Sequence, residues 1–270
     1  MRFIWTATVL TLVATAGCSS SQVEVPPQGA AAKQETAAPE TSAEDAVAAL
    51  ELRGAILKRS DGKVAEVDLG KSMATDADLA KLRELANLRT LKLTGRPITD
   101  AGLKHLEGLA TLQMLRLSGT KVSDAGLAQL AALAALRNLD LSKTAIGDAG
   151  LAQLEKLPGL TQLNLYTTKV TDAGLTHLEK LKDLKSLNLD NTAITDAGLP
   201  KLQGLSHLEF LHLGRTQVSD AGTGSLAKLT GLSTLHVTRT KVTDAGVKQL
   251  QQSLPHCKII SKVAGDDAGK

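Results

Sequence analysis

The chain has 270 residues, with 31 basic residues against 28 acidic ones and a formal net charge of +3. It has only two cysteines, Cys18 and Cys257, and its aromatics are one Trp, one Tyr and two Phe. Two thiols cannot build a disulfide framework, the charge is no nucleic-acid footprint, and so few aromatics give no platform for stacking bases.

The N-terminal stretch carries Arg2 and then an apolar, Thr-rich run from Phe3 to Ala16. The run is short for a bilayer span but suits the core of an export signal. Ala16-Gly17-Cys18 resembles a lipobox, the cleavage site of bacterial lipoproteins, in which the cysteine becomes the lipidated first residue. The preceding Thr15 departs from the usual Leu, and Ala14-Thr15-Ala16 also fits the small-x-small site of ordinary signal peptidase. The reading is a signal at 1–17, lipidation at Cys18 and a bacterial envelope location; periplasmic or secreted is the alternative. By the same resemblance, Ser19 after the cysteine implies the outer membrane. Residues 18–41, rich in Ser, Gln, Pro, Ala, Glu and Thr, have the composition of a disordered tether.

Residues 42–63 read as an N-terminal cap. Ser42 opens a capped helix that ends near Gly54, and Ser60-Asp61-Gly62-Lys63 is a hairpin turn between Ile56–Arg59 and Val64–Leu69. From there to residue 252 one unit repeats every 24 residues. A hydroxyl or Gly precedes Asp-Ala-Gly, with the aspartates at Asp76, Asp100, Asp124, Asp148, Asp172, Asp196, Asp220 and Asp244; the first copy alone reads Asp-Ala-Asp. Within a unit, apolar residues recur first in steps of three, as in Leu103, Leu106, Leu109 and Leu112, and then in the step of two of Leu115 and Leu117. Steps of three suit a short helix or turns, and the step of two suits a strand. Stacked in order, the strands make a parallel sheet of about nine, a face ~40 Å long at ~4.8 Å per strand. Residues 253–270 close the stack, beginning where Ser253 and His256 replace leucines.

Leu-x-x-Leu-x-Leu followed by Thr and a β-branched residue resembles a leucine-rich repeat, and the Thr-Asp-Ala-Gly-Leu phrase resembles its ribonuclease-inhibitor-like subclass. The resemblance implies an α/β solenoid, a curved right-handed coil with the parallel sheet on its concave face and short helices on the convex one. In place of the usual Asn or Cys after the strand stand Thr120, Thr144, Thr168, Thr192, Thr216 and Thr240. A hydroxyl can bond the turn in the same way, so a threonine ladder is expected, with Ser72 and Arg96 as its irregular start. The aspartates read as helix caps rather than calcium ligands, and the glycines as points of close helix approach. Pro200 and Thr223-Gly224 read as weak points of the convex side.

Function is sought among the residues between and beside the strand leucines, which face out of the sheet. The candidate binding residues are Arg116, Tyr166, Asn188, Asp190, Phe210, His212 and His236. Aromatics beside polar groups are typical anchors of protein interfaces, so the expected partner is a protein or peptide. A structural spacer is the second reading. A third, a metal-dependent hydrolase, rests on His212 and His236 on adjacent strands with Asp190 nearby. The reading adopted has no catalytic residue, cofactor, metal or nucleic-acid partner, and takes Cys257 as a buried thiol.

Overall fold

The computed structural model describes residues 42–262. The expected signal, the lipidated Cys18, the tether and the final tail lie outside the described residues. The first helix, α1 (Ala43–Leu52), is closed by a capping box: Ser42 Oγ accepts from Asp45 N, and Asp45 Oδ2 accepts from Ser42 N, both at 3.2 Å. Ala46, Val47 and Leu50 form its buried face, on the spacing that one side of a helix provides.

A hairpin follows, β1 (Ile56–Ser60) and β2 (Lys63–Asp68), turning on Asp61 and Gly62 at φ 53° and 76°. Two successive positive φ values match the right-handed twist of the flanking strands, which is why a Gly stands here. Eight strands of three residues continue the sheet: β3 (Thr90–Lys92), β4 (Met114–Arg116), β5 (Asn138–Asp140), β6 (Gln162–Asn164), β7 (Ser186–Asn188), β8 (Phe210–His212), β9 (Thr234–His236) and β10 (Lys258–Ile260). They pair in chain order, antiparallel between β1 and β2 and parallel thereafter. Leu115, Leu139 and Leu163 are direct partners on consecutive rungs. The expected lattice of leucines is the core: in the unit from Asp100, Leu103, Leu106, Leu112, Leu115, Leu117 and Val122 are fully buried.

The other side of each rung is one turn of α-helix, a 3₁₀ turn, or both, as in Asp100–Leu103 followed by Lys104–Leu106. Asp148–Leu154, at seven residues, and the closing helix, Asp244–Ser253, at ten, are longer. Among the described residues no helix is long and apolar enough to cross a membrane.

Two ladders of side chains tie the turns. In the first, the hydroxyls of Thr120, Thr144, Thr168, Thr192, Thr216 and Thr240 donate to the carbonyl three residues back at 2.5–2.8 Å. Ser72 makes the same bond to Leu69 at 2.8 Å, so it is a regular rung, contrary to expectation. Arg96 alone is irregular: its Nη1 donates to the carbonyl of Ser72, while its Nε is buried without a partner among the described residues.

The second ladder corrects the reading of the aspartates. Seven of the eight, Asp76 to Asp220, reach forward to the residue before the next aspartate, a hydroxyl in every case but Gly147, rather than capping their own helix. Asp148 Oδ1 accepts from Thr171 N at 2.8 Å and Oδ2 from Thr171 Oγ1 at 2.6 Å, and Asp172 does the same to Thr195. Capping falls to the hydroxyls, as where Thr99 Oγ1 accepts from Ala101 N. The same carboxylate explains the following glycine. A Cβ on Gly102, Gly126, Gly174 or Gly198 would strike the Oδ1 of the preceding copy's aspartate. The first copy has no predecessor, and there Asp78 replaces the glycine. It is buried, accepts from Thr75 N at 3.0 Å, and pairs with Arg53 at 3.2 Å and Lys81 at 3.0 Å. Burial pushes its pKa up, but these donors and cations together hold it below the ordinary value.

The two supposed weak points are accommodated. Pro200 stands in the first turn of the 3₁₀ segment Leu199–Gly204, where its missing N–H costs no internal bond. Thr223 is buried in a leucine slot with its hydroxyl donating to Asp220 O at 2.8 Å.

Candidate functional site

The middle residue of the open face is fixed by its own backbone. Asp140 Oδ1 accepts from Ser142 N at 3.0 Å, Asn164 Oδ1 from Tyr166 N at 3.1 Å, and Asn188 Oδ1 from Asp190 N at 2.9 Å. An N–H that has no strand partner is thereby satisfied two residues on. The bond assigns the amide orientation of both asparagines and leaves each Nδ2 without a partner among the described residues. They are donors held in place on adjacent strands.

These amides line an open groove of about 340 Å³ with Arg116, Asn138, Gln162 and Phe210. Asn138 Nδ2 donates to Gln162 Oε1 at 2.5 Å across the strands. Arg116 is exposed and forms no ion pair among the described residues.

Beyond the groove lies an aromatic group. The rings of His212 and His236 stack at 4.4 Å between centroids, and Phe210 lies 5.4 Å from His236 and 6.4 Å from His212. Strand register brings them together, since His212 and His236 are paired residues of β8 and β9. His212 Nδ1 accepts from Gly214 N at 3.3 Å, the same two-residue bond that the asparagines make. Accepting this bond requires an unprotonated Nδ1.

Burial pushes the pKa of both histidines down. For His212 the neighbouring Asp190 opposes this, while His236 and Arg215 add to it; for His236, Lys258 adds and Asp190 opposes. Both folded-state values lie below the ordinary 6.5, so the unfolded chain takes up protons first as the pH falls. Stability is therefore expected to decline as pH drops from 6.5 through the lower folded values, and this contribution is flat above. Urea midpoints at pH 7.5 and pH 5 check it: the wild type should lose more on acidification than a His212→Gln, His236→Gln double variant. Equal losses would mean that the stack does not carry the effect.

Asp190 is placed differently from the sequence expectation of an open contact. It is buried, and Arg215 holds it with Nε at 2.9 Å and Nη2 at 2.5 Å. That engagement raises the pKa of Arg215. His212 Nδ1 stands 3.9 Å from Asp190, beyond hydrogen-bond distance. Among the described residues no group of three His, Cys, Asp or Glu is arranged to hold a metal ion. Cys257 is buried, which pushes its thiol pKa up and away from the reactive thiolate.

The candidates thus divide. Arg116, Asn188 and Phe210 share the amide groove, Asp190 and His212 belong to a second recess, and His236 stacks on His212 with Phe210 tilted beside it. Tyr166 sits under two cations, Lys143 Nζ at 5.8 Å and Arg215 Cζ at 5.3 Å from its ring centre. Neither cation was among the candidates. Both belong to a column just after the strands, Gly95, Gly119, Lys143, Thr167, Asn191, Arg215 and Arg239, in which every residue has φ between 53° and 70°. The two glycines and the Asn at this period are the signal of a left-handed position.

Comparison with known proteins agrees with the fold. Internalin C2 from Listeria monocytogenes superimposes with a TM-score of 0.59 at 24% identity, over 82% of this chain and 92% of that one. An internalin from the same organism, inlF, gives 0.41 at 22% identity, over 68% of this chain and 70% of the other. No curated protein matches the chain. Residues 69–261 match the family described as "Leucine-rich repeat region". With that span covering most of the chain and the leucine rungs in register throughout, the protein belongs to the leucine-rich repeat family.

Proposed function

We propose that the concave face from Arg116 to His236 binds a protein or an extended peptide segment. The observation that carries this reading is the pairing of a polar groove, whose amide donors are held by their own backbone, with the Phe210–His212–His236 group beside it. Pre-set donors and an aromatic anchor lose little freedom on binding, which is what a specific interface requires. Affinity capture with the full chain and with a Phe210→Ala, His212→Ala variant tests it. One partner retained by the wild type and lost by the variant is the expected result. Retention that ignores these residues favours instead a spacer or assembly element of the cell envelope.

The reading extends to location. The apolar run from Phe3 to Ala16 followed by Ala16-Gly17-Cys18 supports export and a lipid anchor at Cys18, with the repeats held off the membrane by residues 19–41. Fatty-acid labelling that is lost in Cys18→Ser is expected; labelling unchanged by the substitution would remove the anchor.

A further inference from the structure

We infer that the recess around Gly214, at the C-terminal end of the concave face, is an anion site that takes a carboxylate of an acidic peptide segment. This rests on the concave-face reading and assigns the chemistry of one end of the ligand.

The recess has a volume of about 370 Å³, and Asp190, His212, Arg215, Thr238, Arg239 and Lys262 line it. Gly214 stands beside it, where neighbouring side chains already fill the space that a side chain of its own would take. In the column beside the strands, Gly70, Thr94, Ser118, Ser142, Tyr166, Asp190, Gly214 and Thr238, only Gly70 and Gly214 carry no side chain. A Cβ on Gly214 would lie 2.8 Å from His212 Cε1 and 2.9 Å from both Asp190 Oδ1 and Thr238 Oγ1. The backbone at Gly214 is not left-handed, so space rather than conformation requires the glycine.

Charge then selects the ligand. Asp190, the one carboxylate among the described lining residues, is paired with Arg215 through Nε and Nη2. Arg215 also lies over the Tyr166 ring, its Cζ 5.3 Å from the ring centre, and is thus engaged by two of the described residues. Arg239 is exposed and makes no ion pair among the described residues. Lys258 stands close enough to His236 to disfavour its protonation, adding positive potential from the last strand. The opposite end of the sheet is neutralised instead: Glu66 holds Lys92 at 2.5 Å and Lys58 at 3.1 Å, and Asp68 lies 3.8 Å from Lys92.

Arg215 and Arg239 occupy equivalent left-handed positions, φ 53° and 56°, where the first and second copies have Gly95 and Gly119. On adjacent rungs, about 5 Å apart at the backbone, they bring two positive charges to one end of the face, where Arg239 offers its fork to a carboxylate. Thr238 adds a hydroxyl at the floor. Asp190 inside the recess disfavours a doubly charged anion beside it, so a carboxylate fits better than a phosphate.

Fluorescence polarisation of labelled hexaglutamate with the full chain tests the site. Binding is expected to weaken at least tenfold in Arg239→Glu and to stay within twofold in Lys180→Glu, an exposed convex-side control. Labelled hexalysine should not bind. No binding of hexaglutamate, binding unchanged in Arg239→Glu, or preference for a phosphoserine peptide of equal length each overturns the assignment. Partner capture that depends on Phe210 while hexaglutamate fails removes the anion site and leaves the concave-face reading standing. Arg239-dependent hexaglutamate binding without such capture does the reverse.

Discussion

Gly174→Ala, the addition of one methyl group, is expected to destabilise the stack by about 3 kcal/mol or more. Gly174 has ordinary right-handed backbone, φ −64° and ψ −29°, which alanine adopts freely. The cost comes chiefly from Asp148. The new Cβ would displace its Oδ1 and press to 3.0 Å from Cγ and 3.1 Å from Leu151 Cδ1, breaking the two bonds to Thr171. Asp148→Ala by itself should cost about 2–3 kcal/mol, because Thr171 loses a charged acceptor for both its N–H and its hydroxyl. In the double variant the carboxylate is gone, alanine restricts the unfolded chain more than glycine does, and the added cost of Gly174→Ala should fall below about 1 kcal/mol. Urea unfolding of the four proteins closes the cycle; additive effects would mean that the glycine is there for some other reason.

Leu139→Ala is expected to cost about 2–5 kcal/mol. Leu139 is fully buried and pairs directly with Leu115 below and Leu163 above, so its cavity opens between three rungs. In a stack where each unit touches only its neighbours, a weak central rung also uncouples the halves, and the urea dependence should become shallower. Ile259→Ala on the last strand removes a half-buried side chain with a rung on one side only and should cost less. An equal penalty at both positions would contradict nearest-neighbour coupling.

The leucine rungs were legible because burial writes its period into the sequence: the step from Leu115 to Leu117 is a strand wherever it occurs, and the 24-residue spacing stacks one copy on another. The hydroxyls after each strand were legible for the same reason, since their partner lies three residues away. The aspartates were misread because their partners do not. Reading Asp148 beside the start of a helix yields a cap, and only the coil brings Thr171 to its carboxylate. The one clue was Asp78, standing where every later copy has Gly. On the binding face, register alone predicted that His212 and His236 would meet. That Asp190 is buried follows from Arg215, whose left-handed backbone turns it back toward the preceding rung, and no local pattern announces that.

The forward reach of each aspartate gives the coil a grammar. A copy is complete only when its successor supplies a hydroxyl or N–H and a glycine 23 and 26 residues further on, so the bonds tolerate the gain or loss of whole copies but no fraction of one. The length of the recognition surface can thus change only in steps of one strand, each leaving the joins on either side chemically identical.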